Sequence, residues 1–181
     1  MIFIPYTDSI NKINLLYLLY LYGIAEYNKD TKYKDTINYL SADKLKDKIN
    51  DKYNTNISKS TINRLINDVI SGNYTDFLSI DTNKKQIFIK NHFRRKKNAQ
   101  FVIVKDDLFN ILTAEKDDFL CKYAIYLYFI CGKYQKTDST AEQILSALGY
   151  SAKSGTNKQK LSYYNSILYE NKIINITQYR D

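Results

Sequence analysis

Apolar positions crowd together first between Ser9 and Asn28, where Leu15, Leu16, Leu18, Leu19 and Leu21 are interleaved with Tyr17, Tyr20 and Tyr22. This predicts a long helix that is apolar nearly all round, which must be buried between other elements or at a subunit contact. A polar connection, Lys29 to Asn38, leads to a short β-like Tyr39-Leu40. The period then changes. Ser41 can cap a helix running to about Tyr53, with Leu45 and Ile49 as its core face. Asn54-Thr55-Asn56-Ile57 reads as a tight turn, and Ser58 as the cap of a second helix in which Ile62, Leu65, Ile66 and Val69 recur at helical spacing. Two short helices joined by so brief a turn make a helix-turn-helix pattern. Phe77-Leu78-Ser79-Ile80 and Gln86-Ile87-Phe88-Ile89 flank the polar turn Asp81-Thr82-Asn83-Lys84, which predicts a β-hairpin with Lys84 and Lys85 at its tip.

The second half repeats the plan. Phe119 to Gly132 predicts another Leu/Ile/Tyr-rich helix, and its Tyr126-Leu127-Tyr128 echoes Tyr20-Leu21-Tyr22. Thr140-Ala141-Glu142-Gln143-Ile144 matches Ser41-Ala42-Asp43-Lys44-Leu45 class for class. Gly149 ends that helix, the polar turn Ser151 to Thr156 follows, and Asn157 to Glu170 predicts a last helix. Its Leu161, Tyr164 and Leu168 face inward, while Gln159, Ser162, Tyr163 and Ser166 face out. Ile173 to Thr177 begins a strand without completing a hairpin. A second wing is therefore missing, cut off by the chain end, or replaced by the strand Phe101-Val102-Ile103-Val104. The expected fold is mainly α (α+β), in two tandem modules: residues 1–98, ending in a basic linker, and 99–181.

Charge sharpens this picture. The net charge is +8, and eight basic residues with no acid lie between Thr82 and Lys105. Outside that window basic and acidic residues balance. Two more acid-free stretches, Lys52 to Asn67 and Gln143 to Tyr169, coincide with the second helix of each pair. Cationic clustering on such elements suits a polyanion. On the helix that opens at Lys59, the residues Ser60, Asn63, Arg64 and Asn67 occupy the face opposite the apolar one, and the first acid is Asp68. Arg can donate two hydrogen bonds to guanine, and Asn can pair with adenine, in the major groove.

Several chemistries are excluded or disfavoured. With His92 as the single histidine, no metal site with two or more His ligands can be built. His92 reads as a solvated loop residue, since no carboxylate is near it in sequence. Five scattered glycines form no phosphate-binding loop. A tyrosine nucleophile is disfavoured because most of the 18 tyrosines sit at core spacing. Cys121 and Cys131 fall in one predicted helix about 15 Å apart along its axis, too far for a disulfide. No cofactor, metal or catalytic residue is expected. The apolar runs are too short to span a bilayer and no signal peptide opens the chain, so the expected location is cytoplasmic. Lys, Ile, Asn and Tyr, all from A/T-rich codons, account for 82 residues, which points to a low-GC bacterium or one of its mobile elements.

The order helix, strand, helix-turn-helix, hairpin resembles the winged-helix family of DNA-binding domains. The tandem arrangement is similar to replication initiators of plasmids and phages of low-GC Gram-positive bacteria. The resemblance implies that the second helix of each motif enters the major groove and that the hairpin wing touches the DNA backbone. It assigns base reading to Ser60, Asn63, Arg64 and Asn67, with Lys59 and Thr61 on the same helix. Backbone contacts fall to Lys84, Lys85, Arg94, Arg95, Lys96 and Lys97, the last four as a basic arm along phosphates. A second reader would use Lys158, Gln159, Lys160, Ser162 and Tyr163. The implied partners are double-stranded DNA, a second copy of the chain and host replication proteins, with no membrane. The same features suit a winged-helix transcriptional regulator of a mobile element. A protein-binding adaptor is a further reading, and it requires no DNA affinity.

Overall fold

A computed structural model describes residues 2–27, 35–90, 100–131 and 137–175. The fold is α+β, with helices and two small antiparallel sheets. The chain divides into two compact units, Met1–Cys121 and Lys122–Asp181.

In the first unit the Leu/Tyr-rich helix α1 spans only Leu15–Ile24. Its predicted extension toward Ser9 fails because Asn14 caps it, the side chain accepting a hydrogen bond from the Tyr17 N–H at 3.0 Å. Asp8–Asn11 before it forms a 3-10 turn. Beyond Ile24 the chain is extended, as strand β2, Glu26–Tyr27. Seven of the ten α1 residues are buried, which accounts for its apolar girth within this unit.

Strand β3, Asp35–Asn38, lies inside the expected polar connection, and it ends before Tyr39-Leu40. Its Thr36 and Ile37 are buried, whereas Leu40 is 77% exposed. Helix α2, Ala42–Tyr53, begins where Ser41 accepts from the Lys44 N–H. Helix α3, Lys59–Ile70, begins where Ser58 accepts from the Thr61 N–H. Strands β4, Leu78–Asp81, and β5, Gln86–Ile89, form the expected hairpin. The four strands lie in the order β2-β3-β5-β4, with Ile87 opposite both Ile37 and Ile80. The strand preceding the helix pair thus runs beside the second arm of the hairpin.

A separate sheet pairs β1, Ile2–Pro5, with β6, Phe101–Val104. Phe101–Val104 is therefore not the replacement wing of a second module: its ladder is occupied by β1, from Ile2 opposite Val104 to Pro5 opposite Phe101. Helix α4, Asp106–Glu115, follows. The sequence pattern leaves it unmarked, although Leu108 and Leu112 bury one face and Asp106 and Asp107 suit the positive end of the helix dipole. Because β6 pairs with β1 and α4 packs against α1, both belong to the first unit, beyond the division expected at 98/99.

Helix α5, Asp118–Cys131, contains the boundary between the units. Cys121 and Cys131 both lie on it and form no disulfide with each other. In the second unit Thr140 and Gln143 cap α6, Ala141–Ala147, reciprocally, and Gly149 leaves it with a φ of 77°. Helix α7, Gly155–Glu170, starts slightly before the expected Asn157, capped by Ser154. Residues 173–175 are not a strand, and 176–177 lie outside the described residues. No helix among the described residues is long and apolar enough to cross a membrane.

Candidate nucleic-acid interface

The presentation of α3 begins in the turn before it. Asn50 Oδ1 accepts from the Ile57 N–H at 2.8 Å and from the Thr55 hydroxyl at 2.6 Å, while its Nδ2 donates to the Ile57 carbonyl at 3.0 Å. Asn54, at a φ of 47°, ends α2 in the left-handed region, and its carbonyl accepts from Lys116 Nζ. One buried-side amide therefore does for this turn what backbone bonds do inside a helix. On α3, Ile62, Leu65 and Val69 are buried. Ile66, expected with them, is half-exposed.

The opposite face carries Lys59, Ser60, Asn63, Arg64 and Asn67, all exposed, with Thr61 half-buried at its edge. Among the described residues, nothing hydrogen-bonds the side chains of Asn63, Arg64 or Asn67. Ser60 and Thr61 turn their hydroxyls toward Ser58, at 2.8 and 3.0 Å. Lys59 is committed differently: its Nζ donates to the Asp43 carboxylate at 2.6 Å, and that bond holds the Asp43 carboxyl below its usual range. That outward face carries no acid before Asp68, and it offers Arg64 as a cation with no partner among the described residues, flanked by two amides.

The hairpin tip belongs to the same unit. Asp81 Oδ1 accepts from the Asn83 and Lys84 N–H groups at 3.1 and 3.0 Å, which shapes the turn. Lys84 and Lys85 are exposed there, Lys85 at a φ of 54°. Arg94, Arg95, Lys96 and Lys97 lie outside the described residues, as does His92.

In the second unit, α7 exposes Lys158, Gln159, Lys160, Ser162 and Tyr163, while Leu161, Tyr164 and Leu168 are buried. The Tyr163 ring, 58% exposed, lies 5.9 Å from the buried Tyr164 ring. Lys158 Nζ donates to Glu142 at 2.8 Å, and that bond holds the Glu142 carboxyl below its usual range. Adding 99 to several residue numbers of the α2–α3 pair gives positions of the same kind in α6–α7, although α7 is capped by Ser154 rather than by Asn157, the position the shift gives for Ser58. Ser41 and Thr140 are caps, Leu45 and Ile144 are core, Asp43–Lys59 and Glu142–Lys158 are ion pairs, and Ile62 and Leu161 are core again. The same shift sets Ser60 on Gln159, Asn63 on Ser162 and Arg64 on Tyr163.

One cation was hidden by the over-long helix expected from Ser9. Lys12 is exposed and lies with Arg64 on the wall of a cleft of about 270 Å³, between the start of α1 and α3. Thr61 and Asp68 also line it, and Asp68 accepts from Asn73 Nδ2 at 3.2 Å. No local feature of the sequence marks Lys12, because Arg64 lies far from it along the chain. No group of three or more His, Cys, Asp or Glu residues among those described could hold a metal ion. The chain matches no protein-family model, no curated protein and no solved structure.

Proposed function

We propose that this protein binds double-stranded DNA as an origin-recognising replication initiator of a low-GC bacterial plasmid or phage, with α3 entering the major groove. The observation that carries this reading is the outward face of α3: Asn63, Arg64 and Asn67, exposed and without partners among the described residues, on a helix whose first acid is Asp68. Unpaired donors at that spacing match the acceptors of guanine and adenine edges. The order α1, β3, α2, α3, β4, β5 supports a winged-helix module in the first unit, and the exposed Lys84 and Lys85 suit a wing that meets phosphate.

The shared ion pair and the recurring numerical shift support a second module built on the same helix pair, without a wing among the described residues. There Lys158, Gln159, Lys160, Ser162 and Tyr163 form the second reading face. The basic segment Arg94, Arg95, Lys96 and Lys97 adds charge between the two readers in sequence. Binding positions and melts or marks an origin, with no nucleotide hydrolysis by this chain.

DNase footprinting on the genetic element that encodes the protein tests the reading. Protected direct repeats at an origin support initiation. Protection of an operator ahead of the protein's own operon would instead make it a transcriptional regulator, using the same residues. Arg64→Ala should cost about 1–3 kcal/mol at the preferred site and relax sequence choice. No affinity for any duplex at low salt would overturn the reading in favour of a protein-binding adaptor.

A further inference from the structure

We propose that the cleft between the start of α1 and α3 seats one backbone phosphate of bound DNA, held by Lys12. The inference rests on the DNA-binding reading and adds to it a contact from outside the helix-turn-helix and the hairpin.

The cleft is the natural continuation of the α3 face, because Arg64 belongs to both. Lys12 lines the same cleft as Arg64, so phosphates flanking a base edge read by Arg64 would pass beside Lys12. At about 270 Å³ the space would hold several waters at roughly 30 Å³ each, which is volume enough for a phosphate group. Lys12 Nζ has no hydrogen-bond or ion-pair partner among the described residues, and neither has the Arg64 guanidinium. The acid on the wall, Asp68, is engaged by Asn73 Nδ2. Lys12, Arg64 and the still-charged Asp68 carboxylate share the wall, so its cations exceed its acids by one.

The backbone at the start of α1 offers no competing anion site. Leu15 and Leu16 donate their N–H groups to Asp118, Tyr17 donates to Asn14, and the Asn14 N–H donates to the Tyr74 hydroxyl. The donors that make a helix N-terminus attractive to anions are used up. A phosphate here must be held by side-chain charge. Lys12 supplies that charge as a point contact, leaving the Arg64 fork free for a base edge. Its role is to fix how α3 sits in the groove, since phosphate contacts set register while base contacts select sequence.

The test compares wild type, Lys12→Gln and Lys12→Arg, as full chains, by fluorescence anisotropy on a labelled mixed-sequence duplex over a salt series. Lys12→Gln should weaken binding to every sequence and flatten the slope of log K against log salt by about 0.9, the value of one phosphate. Lys12→Arg should restore most of the slope, and because residue 12 is exposed both variants should melt like wild type. If wild type binds DNA with a normal salt slope and Lys12→Gln leaves that slope unchanged, the phosphate contact is wrong while the DNA reading stands. If wild type binds no duplex, the DNA reading itself falls. An inorganic phosphate titration followed by NMR separates the remaining source: saturable shifts at Lys12 that DNA does not displace would mean a free-anion site, and would overturn the proposal.

Discussion

Asp118 Oδ1 accepts the backbone N–H of Leu15 at 2.6 Å, across 103 positions of sequence. It also accepts from Leu16, so the first residue of α5 caps α1, while Asp117 caps α5 itself through Phe119 and Leu120. Two adjacent carboxylates serve two different helices. Asp118→Ala leaves two N–H groups at the α1 start without their acceptor, and should cost about 1–2 kcal/mol. Asp117→Ala strips the α5 end instead. Urea unfolding of the two variants measures the difference, and equal midpoints for wild type and Asp118→Ala would refute the cross-helix cap.

Gly23 marks a close approach. A Cβ there would lie 1.7 Å from the Tyr53 hydroxyl and 2.8 Å from Phe109 Cζ. The Tyr53 ring cannot easily yield, since it stacks on Tyr20 at 4.6 Å and meets Phe109 edge-on at 6.3 Å. Gly23→Ala should therefore destabilise by about 1–3 kcal/mol despite its better helix propensity. Adding Tyr53→Phe should recover part of the loss, and thermal melts of the single and double variants decide it.

The Tyr53 hydroxyl is itself buried without a hydrogen-bond partner among the described residues, and burial pushes its pKa up to about 12, as it does for Tyr20. In the unfolded chain these phenols ionise near pH 10. Their neutral folded forms thus contribute full stability below about pH 10, which is lost progressively as pH rises toward 12. Tyr53→Phe removes an unsatisfied polar group, so it should leave stability at pH 7 equal or higher. It should also shallow the alkaline decline, as chemical denaturation from pH 8 to 11.5 would reveal. A steeper decline in the variant would contradict this account.

Lys59 and Lys158 are held by Asp43 and Glu142, unlike Arg64. On the proposed function, Asp43→Asn releases a cation at the start of α3 and removes an anion beside it. DNA affinity should rise several-fold at low salt and the gain should shrink as salt screens it. Lys59→Ala should lower affinity less than Arg64→Ala. Binding isotherms at two ionic strengths check both statements, and weaker binding by Asp43→Asn would show that the ion pair positions α3 rather than restrains Lys59.

Local signals were legible in the sequence where cap and core agree. Ser41, Ser58 and Thr140 each sit just before apolar residues at helical spacing, and α2, α3 and α6 start where those caps place them. The outward face of α3 followed from the same periodicity. The start of α1 was not legible, because apolar residues run on from Ile10 and Ile13 into the Leu cluster, and a single Asn14 decides where the helix begins. Strand β1 and its partnership with β6 were missed for a different reason. Neither has a turn signal joining it to the other, and a pairing so distant in sequence leaves no local trace. Lys12 escaped with them, since its value depends on a neighbour 52 positions away.

The β1–β6 ladder has a consequence for how the chain can be cut or made. A fragment stopping at residue 98 would keep the helix-turn-helix and hairpin but strip Ile2–Pro5 of its mate and α1 of the carboxylate from Asp118. On the ribosome, the opening strand must wait through about a hundred residues of translation before Phe101–Val104 emerges to zip against it, so this unit closes late, from its two ends.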